Sequence, residues 1–159
     1  MQLSKHFKLE EFTKSMTAIR KGIKNEAGSG EIKNLTDVCY GVLEPVRAKF
    51  AKPVIVTSGY RSPELCEAIG SKSTSQHAKG QAVDFEIAGV PNLQVALWIE
   101  NNCDFDQLIL EYYTGEANSG CIHCSFVEGS NRKQVLTYDG KQFTNGLPDA
   151  KWSGGKLQN

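Results

Sequence analysis

A histidine and an aspartate seven positions apart across a glycine, in Ser75-Gln76-His77-Ala78-Lys79-Gly80-Gln81-Ala82-Val83-Asp84, constrain this chain more than any other stretch. From Ala82 to Ile87 the residues alternate, with Val83, Phe85 and Ile87 on one side and Asp84 and Glu86 on the other, the pattern of a half-buried strand. Gly80 can turn the backbone where a Cβ would obstruct it, so His77 on the preceding loop can fold back toward Asp84. Imidazole and carboxylate are both good zinc ligands, but two of them do not hold the ion. His123, in Cys121-Ile122-His123-Cys124-Ser125-Phe126, is the candidate third ligand. A single histidine near an aspartate is more often a surface hydrogen-bonded pair. Here two of the three histidines fall in such contexts, His6 being the other, which puts metal binding on a par with the plainer reading.

Ser75 to Asp84 resembles the S-x-H-x-x-G-x-A-x-D motif of the zinc D-alanyl-D-alanine carboxypeptidases and related peptidoglycan endopeptidases, including their small phage and prophage members. Three further stretches carry the resemblance. Ser58-Gly59-Tyr60-Arg61-Ser62-Pro63 is similar to the S-G-Y-R-S block, Ile122-His123-Cys124-Ser125 to the block with the last zinc ligand, and Leu3 to Glu11 to the start of the phage-type branch. The likeness runs over residues 3 to 127 and leaves the tail unmatched. It implies a zinc site of His77, Asp84 and His123, with Arg61, Gln76 and Ser75 as substrate contacts.

Lys plus Arg equals Asp plus Glu at 18 each, so no net field draws the chain to nucleic acid or an anionic membrane. No stretch approaches 18 apolar residues, and the polar start lacks the apolar core of a signal peptide. A monomer made in the (host) cytoplasm is expected, without membrane insertion, acting on the cell wall after release. The five cysteines are odd in number and irregularly spaced, which argues for free thiols. Cys121 and Cys124 form a C-x-x-C around His123. A zinc ribbon would need a second pair, and a redox pair would open a helix, so both readings are set aside.

A length of 159 residues suits one compact domain, placed at 1–143, with 144–159 a loose polar tail in which Trp152 could anchor. Lys8 to Ser15 reads as a short helix with Leu9 and Phe12 inward, and the chain to Gly30 as a polar crossing. Apolar positions from Ile32 to Val46 follow helical spacing, with a kink or restart at Pro45. Val54 to Val56 reads as a buried strand, Ser62 as the cap of a helix beginning at Pro63 and stopping at Gly70, and Asn92 as the cap of another. Leu93, Ala96, Leu97 and Glu100 mark that helix's half-apolar face, with Trp98 packing. Phe105–Tyr113 and Gly120–Val127 form a hairpin; if its turn centres on Ala117, Glu111 falls opposite His123. A last hairpin turns at Asp139-Gly140 between Gln134–Tyr138 and Lys141–Phe143. Short helices mixed with antiparallel strands give an α+β class. The resemblance implies a small antiparallel sheet flanked by helices, as in the hedgehog/DD-peptidase fold, with the zinc site on its open face.

Three protein ligands with a fourth position left open are the arrangement of a catalytic zinc. Amide hydrolysis also needs a base and a group to stabilise the oxyanion, roles that Glu111 and Arg61 fit. One departure from the family pattern stands out. Many members carry an acid three residues before the last histidine, as E-x-W-H or D-x-x-H, but here that position is Gly120 and the usual tryptophan is Cys121. Glu111 on the preceding strand is the preferred replacement, ahead of Asp106 and Glu116. The expected function is hydrolysis of peptidoglycan stem peptides by a phage lysis-type enzyme, an endolysin. The alternative is a module that keeps the zinc but not the chemistry, as hedgehog-type signalling domains do.

Overall fold

The computed structural model describes residues 1–153 and 156–158. Strands β1 (Gln2–Ser4) and β2 (Phe7–Lys8) pair antiparallel and lead into α1 (Glu10–Thr13), which buries Phe12. Helix α2 (Met16–Lys21) follows, where sequence reasoning expects only a polar crossing. It buries Ala18 alone, so no apolar stripe announces it; the Ser15 hydroxyl, accepting from Ala18 N, and Gly22, at φ +64°, define its ends. Helix α3 (Ser29–Val38), a π-helical turn over Cys39–Leu43 and α4 (Glu44–Phe50) form one rod. Pro45 is the second residue of α4, directly after the π-helical turn.

Strand β3 (Val54–Ser58) leads to α5 (Pro63–Ala68), whose cap is Ser62 Oγ accepting from Leu65 N. A 3-10 turn over Gln76–Lys79 closes at Gly80, at φ +71°, and delivers the chain into β4 (Ala82–Ile87). Helix α6 (Asn92–Asn102) precedes the antiparallel pair β5 (Gln107–Glu111) and β6 (Cys121–Ser125). The last strands are β7 (Gln134–Tyr138), β8 (Phe143–Asn145), β9 (Lys151–Ser153) and β10 (Lys156–Gln158), the final two forming a separate hairpin. The anchoring role expected of Trp152 falls on a side chain outside the described residues.

The main sheet runs β3-β4-β6-β5-β7-β8, antiparallel throughout except that β5 and β7 are parallel. That exception to an all-antiparallel expectation follows from the chain path. Strand β6 ends beside the start of β5, with Ser125 opposite Gln107, and residues 126–133 step across that start to begin β7 at Gln134, also opposite Gln107. Buried Asp106 holds the step: its carboxylate accepts from Arg132 N, Nε and Nη2 at 3.1, 3.0 and 2.8 Å and from Gln76 Nε2 at 2.9 Å.

One face of the sheet is the core. Val83, Phe85, Ile87, Leu108, Ile122 and Cys124 pack there against Leu35, Val38, Val42 and Val46 of the rod and Val95 and Ile99 of α6. The buried face of α6 therefore runs Leu93, Val95, Ala96 and Ile99, not through Leu97 and Glu100. Trp98 packs edge-on against Phe50. Strand β3 is an edge, with Ile55 43% exposed, where a buried strand is expected. Asn92 is not a cap either, since Pro91 holds that position. Its amide instead donates to the carbonyls of Asn118, Ser119 and Gly120 and pins the β5–β6 loop to α6. The last hairpin uses four residues, 139–142, in its turn, with Asp139 Oδ1 accepting from Lys141 N and Gln142 N, so its second arm begins at Phe143 and not at Lys141.

Phe85 lies fully buried directly behind Asp84. Phe85→Ala should cost about 3–5 kcal/mol of stability, read as a lower urea midpoint with an unchanged slope.

Candidate metal centre

The alternation of β4 turns Asp84 to the open face of the sheet, and the register sets His123 of β6 beside it as direct partner. His77 arrives from the 3-10 turn, whose first amides are held by Ser75 Oγ accepting from His77 N. The glycine after the turn has no substitute: a Cβ on Gly80 would stand 2.5 Å from the Glu31 carbonyl oxygen. Gly59 acts on the same histidine from β3's end. Its carbonyl lies 2.7 Å from His77 Nδ1, and since a carbonyl only accepts, Nδ1 carries the proton and Nε2 keeps its lone pair, with Arg61 Nη2 3.5 Å away.

His77 Nε2 lies 3.5 Å and His123 Nδ1 2.9 Å from Asp84 Oδ1. The three residues offer ligand atoms all within 4.8 Å of one another, a group that could hold a metal ion. The donor set fits zinc. Ligands about 2.0–2.1 Å from a tetrahedral ion lie about 3.3 Å apart, between the two separations found. Burial would raise the Asp84 carboxyl, but the hydrogen bond with His123 and the closeness of His77 leave it well below the usual carboxylate range, so it is ionised and ready to ligate.

Arg61 is aimed by its neighbours. Its Nε donates to Ser58 Oγ at 2.9 Å and its Nη2 to Asp84 Oδ2 at 3.1 Å, which places the guanidinium against the outer oxygen of the carboxylate. A groove of about 550 Å³ opens from Arg61 between β3, α5 and the Lys14–Thr17 segment.

The register differs from the expected one. Glu111 pairs with Cys121, and His123 with Ile109, a shift that moves the turn by one position. Glu111 nonetheless shares the face of His123, two residues along, because side chains alternate with period two. Burial, followed by the negative charge of Asp84, pushes the Glu111 carboxyl up to about 7. Gly120 cannot supply the acid that many family members carry there. It sits at φ +76°, and a Cβ would collide with the Glu111 carbonyl oxygen. Asp106 is committed to Arg132 and Gln76 at the far end of β5, and Glu116 is exposed on the loop. Gln76 thus spends its amide on Asp106, and Ser75 its hydroxyl on a turn amide. Cys121 faces the site while Cys124 lies in the core, so the C-x-x-C sulfurs point to opposite sides of β6 and cannot share an ion. The Ser58 and Gly59 contributions are missed by residue chemistry alone; the S-G-Y-R block is the signal that contains them.

Residues 5–125 match the family model described as Peptidase M15. The chain belongs to the M15 peptidases. That family is one of metal-dependent peptidases, and the matched span contains His77, Asp84, His123, Arg61 and Glu111, while β7 and β8 lie beyond it. Comparison with curated proteins returned no match. Among the described residues, no helix is long and apolar enough to cross a membrane.

Asp84→Ala should abolish metal binding, measured as metal per chain by mass spectrometry after zinc loading. Cys121→Ser and Cys124→Ser should each retain about one ion; loss of metal in either would make a sulfur a ligand.

Proposed function

We propose that this chain is a zinc peptidase that hydrolyses peptide bonds in peptidoglycan stem peptides, as a carboxypeptidase or endopeptidase of the phage lysis type. The observation that carries this reading is a set of three zinc-type ligand atoms on an open sheet face, with a fourth, protonatable carboxylate on the same face. Zinc bound there would polarise the scissile carbonyl and acidify a water.

Everything else falls to side chains of the chain itself. Glu111 takes a proton from the attacking water as its oxygen joins the carbonyl carbon, and returns that proton to the amine nitrogen as the C–N bond breaks. A carboxyl raised to about 7 by burial suits a group that must both hold and release a proton near neutral pH. Arg61 neutralises Asp84 through one nitrogen and has donors left over for a substrate carboxylate or the developing oxyanion. His77 is held in one tautomer by Gly59, so no reorientation is needed when the ligand set is used.

Glu111→Gln should keep both metal and fold and lower turnover on stem peptide by about 10²- to 10⁴-fold, since an amide cannot accept the water proton. Equal rates in parent and variant would reassign the base. A parent that binds zinc yet leaves every wall fragment intact would make the chain a binding module that keeps the ion without the chemistry.

Arg61→Lys should retain zinc and lose about 1.5–3 kcal/mol of catalytic efficiency. A raised KM at constant kcat assigns Arg61 to a substrate carboxylate; a lowered kcat assigns it to the transition state.

A further inference from the structure

The metal-bearing face of the sheet does not end at Glu111. Two rows of side chains cross it. One runs Asp84, His123, Ile109, Leu136 and Asn145, as successive partners on β4, β6, β5, β7 and β8. The other, two residues further along, runs Cys121, Glu111, Tyr138 and Phe143. Partners in a ladder project to the same side, so Tyr138 and Phe143 extend the row of the candidate base across the sheet, about 5 and 10 Å from it at the usual strand spacing.

Their rings are arranged for contact with something flat. Tyr138 and Phe143 stack with centroids 4.5 Å apart at 29°, and Tyr112 meets Tyr138 edge-on at 5.4 Å. Yet Phe143 is 59% and Tyr112 58% exposed, so the cluster packs on itself and still offers ring surface to solvent. Tyr112 reaches it only by taking φ +56°, a left-handed conformation that a bulky residue rarely adopts, while the next amide, Tyr113 N, donates to Tyr138 O at 3.0 Å. Gly140, at φ +96°, makes the turn that brings Phe143 back beside Tyr138, and a Cβ there would approach Tyr112 Cδ1 to 3.7 Å.

We propose that Tyr112, Tyr138 and Phe143 form a stacking platform for the pyranose rings of the peptidoglycan glycan strand, beside the site that receives the stem peptide. The inference rests on the peptidase reading for the identity of the polymer. A stem peptide displays carboxylates, amines and methyl groups and has no flat apolar face, whereas each sugar of the glycan presents a ring face of C–H groups. Aromatic rings more than half exposed at the edge of the cluster match the second and not the first. Continuity with the row of Glu111 places the platform where the glycan bearing the stem would lie. Tyr138 and Phe143 stand beyond the residues matched by the family, so the platform belongs to this chain's own C-terminal strands.

The test is titration of the zinc-loaded chain with chitohexaose, an N-acetylhexosamine oligomer free of peptide, followed by ¹H–¹⁵N NMR and calorimetry. Shifts should centre on residues 112, 138 and 143. Phe143→Ala and Tyr112→Ala, at positions more than half exposed and so tolerant of truncation, should each weaken binding by about three- to tenfold. Tyr40→Ala, an exposed aromatic in the π-helical turn, should not. On intact sacculi the two platform variants should lose more efficiency than on sugar-free stem peptide. Absence of sugar binding, or shifts elsewhere, overturns the proposal. Equal losses on both substrates overturn it by giving the rings to the peptide, and ring-dependent self-association in sedimentation without sugar shifts overturns it by giving them to a second copy. Sugar binding needs no turnover, so a catalytically inert parent would refute the peptidase reading while leaving the platform open to test.

Discussion

The site depends on one buried carboxylate with more than one claim on it. Asp84 faces two imidazoles through one oxygen and a guanidinium through the other, at a point where the sheet excludes most of the solvent. An ionised carboxylate in such a place is tolerated only when its partners are already there. Each partner comes from a different part of the chain: a turn before the strand, a neighbouring strand and the junction between β3 and α5. The fold and the site are therefore one problem, because the arrangement that satisfies Asp84 is also the arrangement that gathers the ligand atoms.

Rigidity reaches this cluster through main-chain oxygens as well as side chains. Gly59 offers its carbonyl to His77 and could not carry a Cβ itself, since Phe12 backbone atoms stand in the way. Tyr60 N donates to the Phe12 carbonyl, and Asn25 spans the Thr13 and Tyr60 carbonyls while accepting from Ser62 N. The N-terminal segments thus serve as a clamp on the loop that carries Arg61. Their modest apolar content is no obstacle, because hydrogen bonds to main chain do the holding.

Local chemistry made several parts legible in advance. The period-two pattern of β4, the serine cap before Pro63 and the glycine after the histidine turn each act over a few residues, and each appears where the sequence puts it. What sequence could not carry was decided at longer range. The pairing of Glu111 with Cys121 depends on a loop that Asn92 draws onto α6, a contact between residues more than 25 apart. Asn92 reads as a cap because caps are its commonest local role, and only the approach of the loop gives its amide another use. Helix α2 lacks an apolar stripe, so periodicity had nothing to find. The parallel pairing of β7 with β5 is a matter of topology, set by where the chain steps across and not by the composition of either strand.

Asp106 acts as a joint. It grips Gln76, next to the candidate ligand His77, with the same carboxylate that holds Arg132 on the way to β7. The matched family span stops at residue 125, just before that second grip. A cut there would strip β5 of its neighbour, exposing a ladder edge, and would leave a buried anion with one donor in place of four. The end of the matched span is thus not a seam along which the protein can be divided. The strands that look like an appendage brace the loop that brings His77 to the candidate metal site.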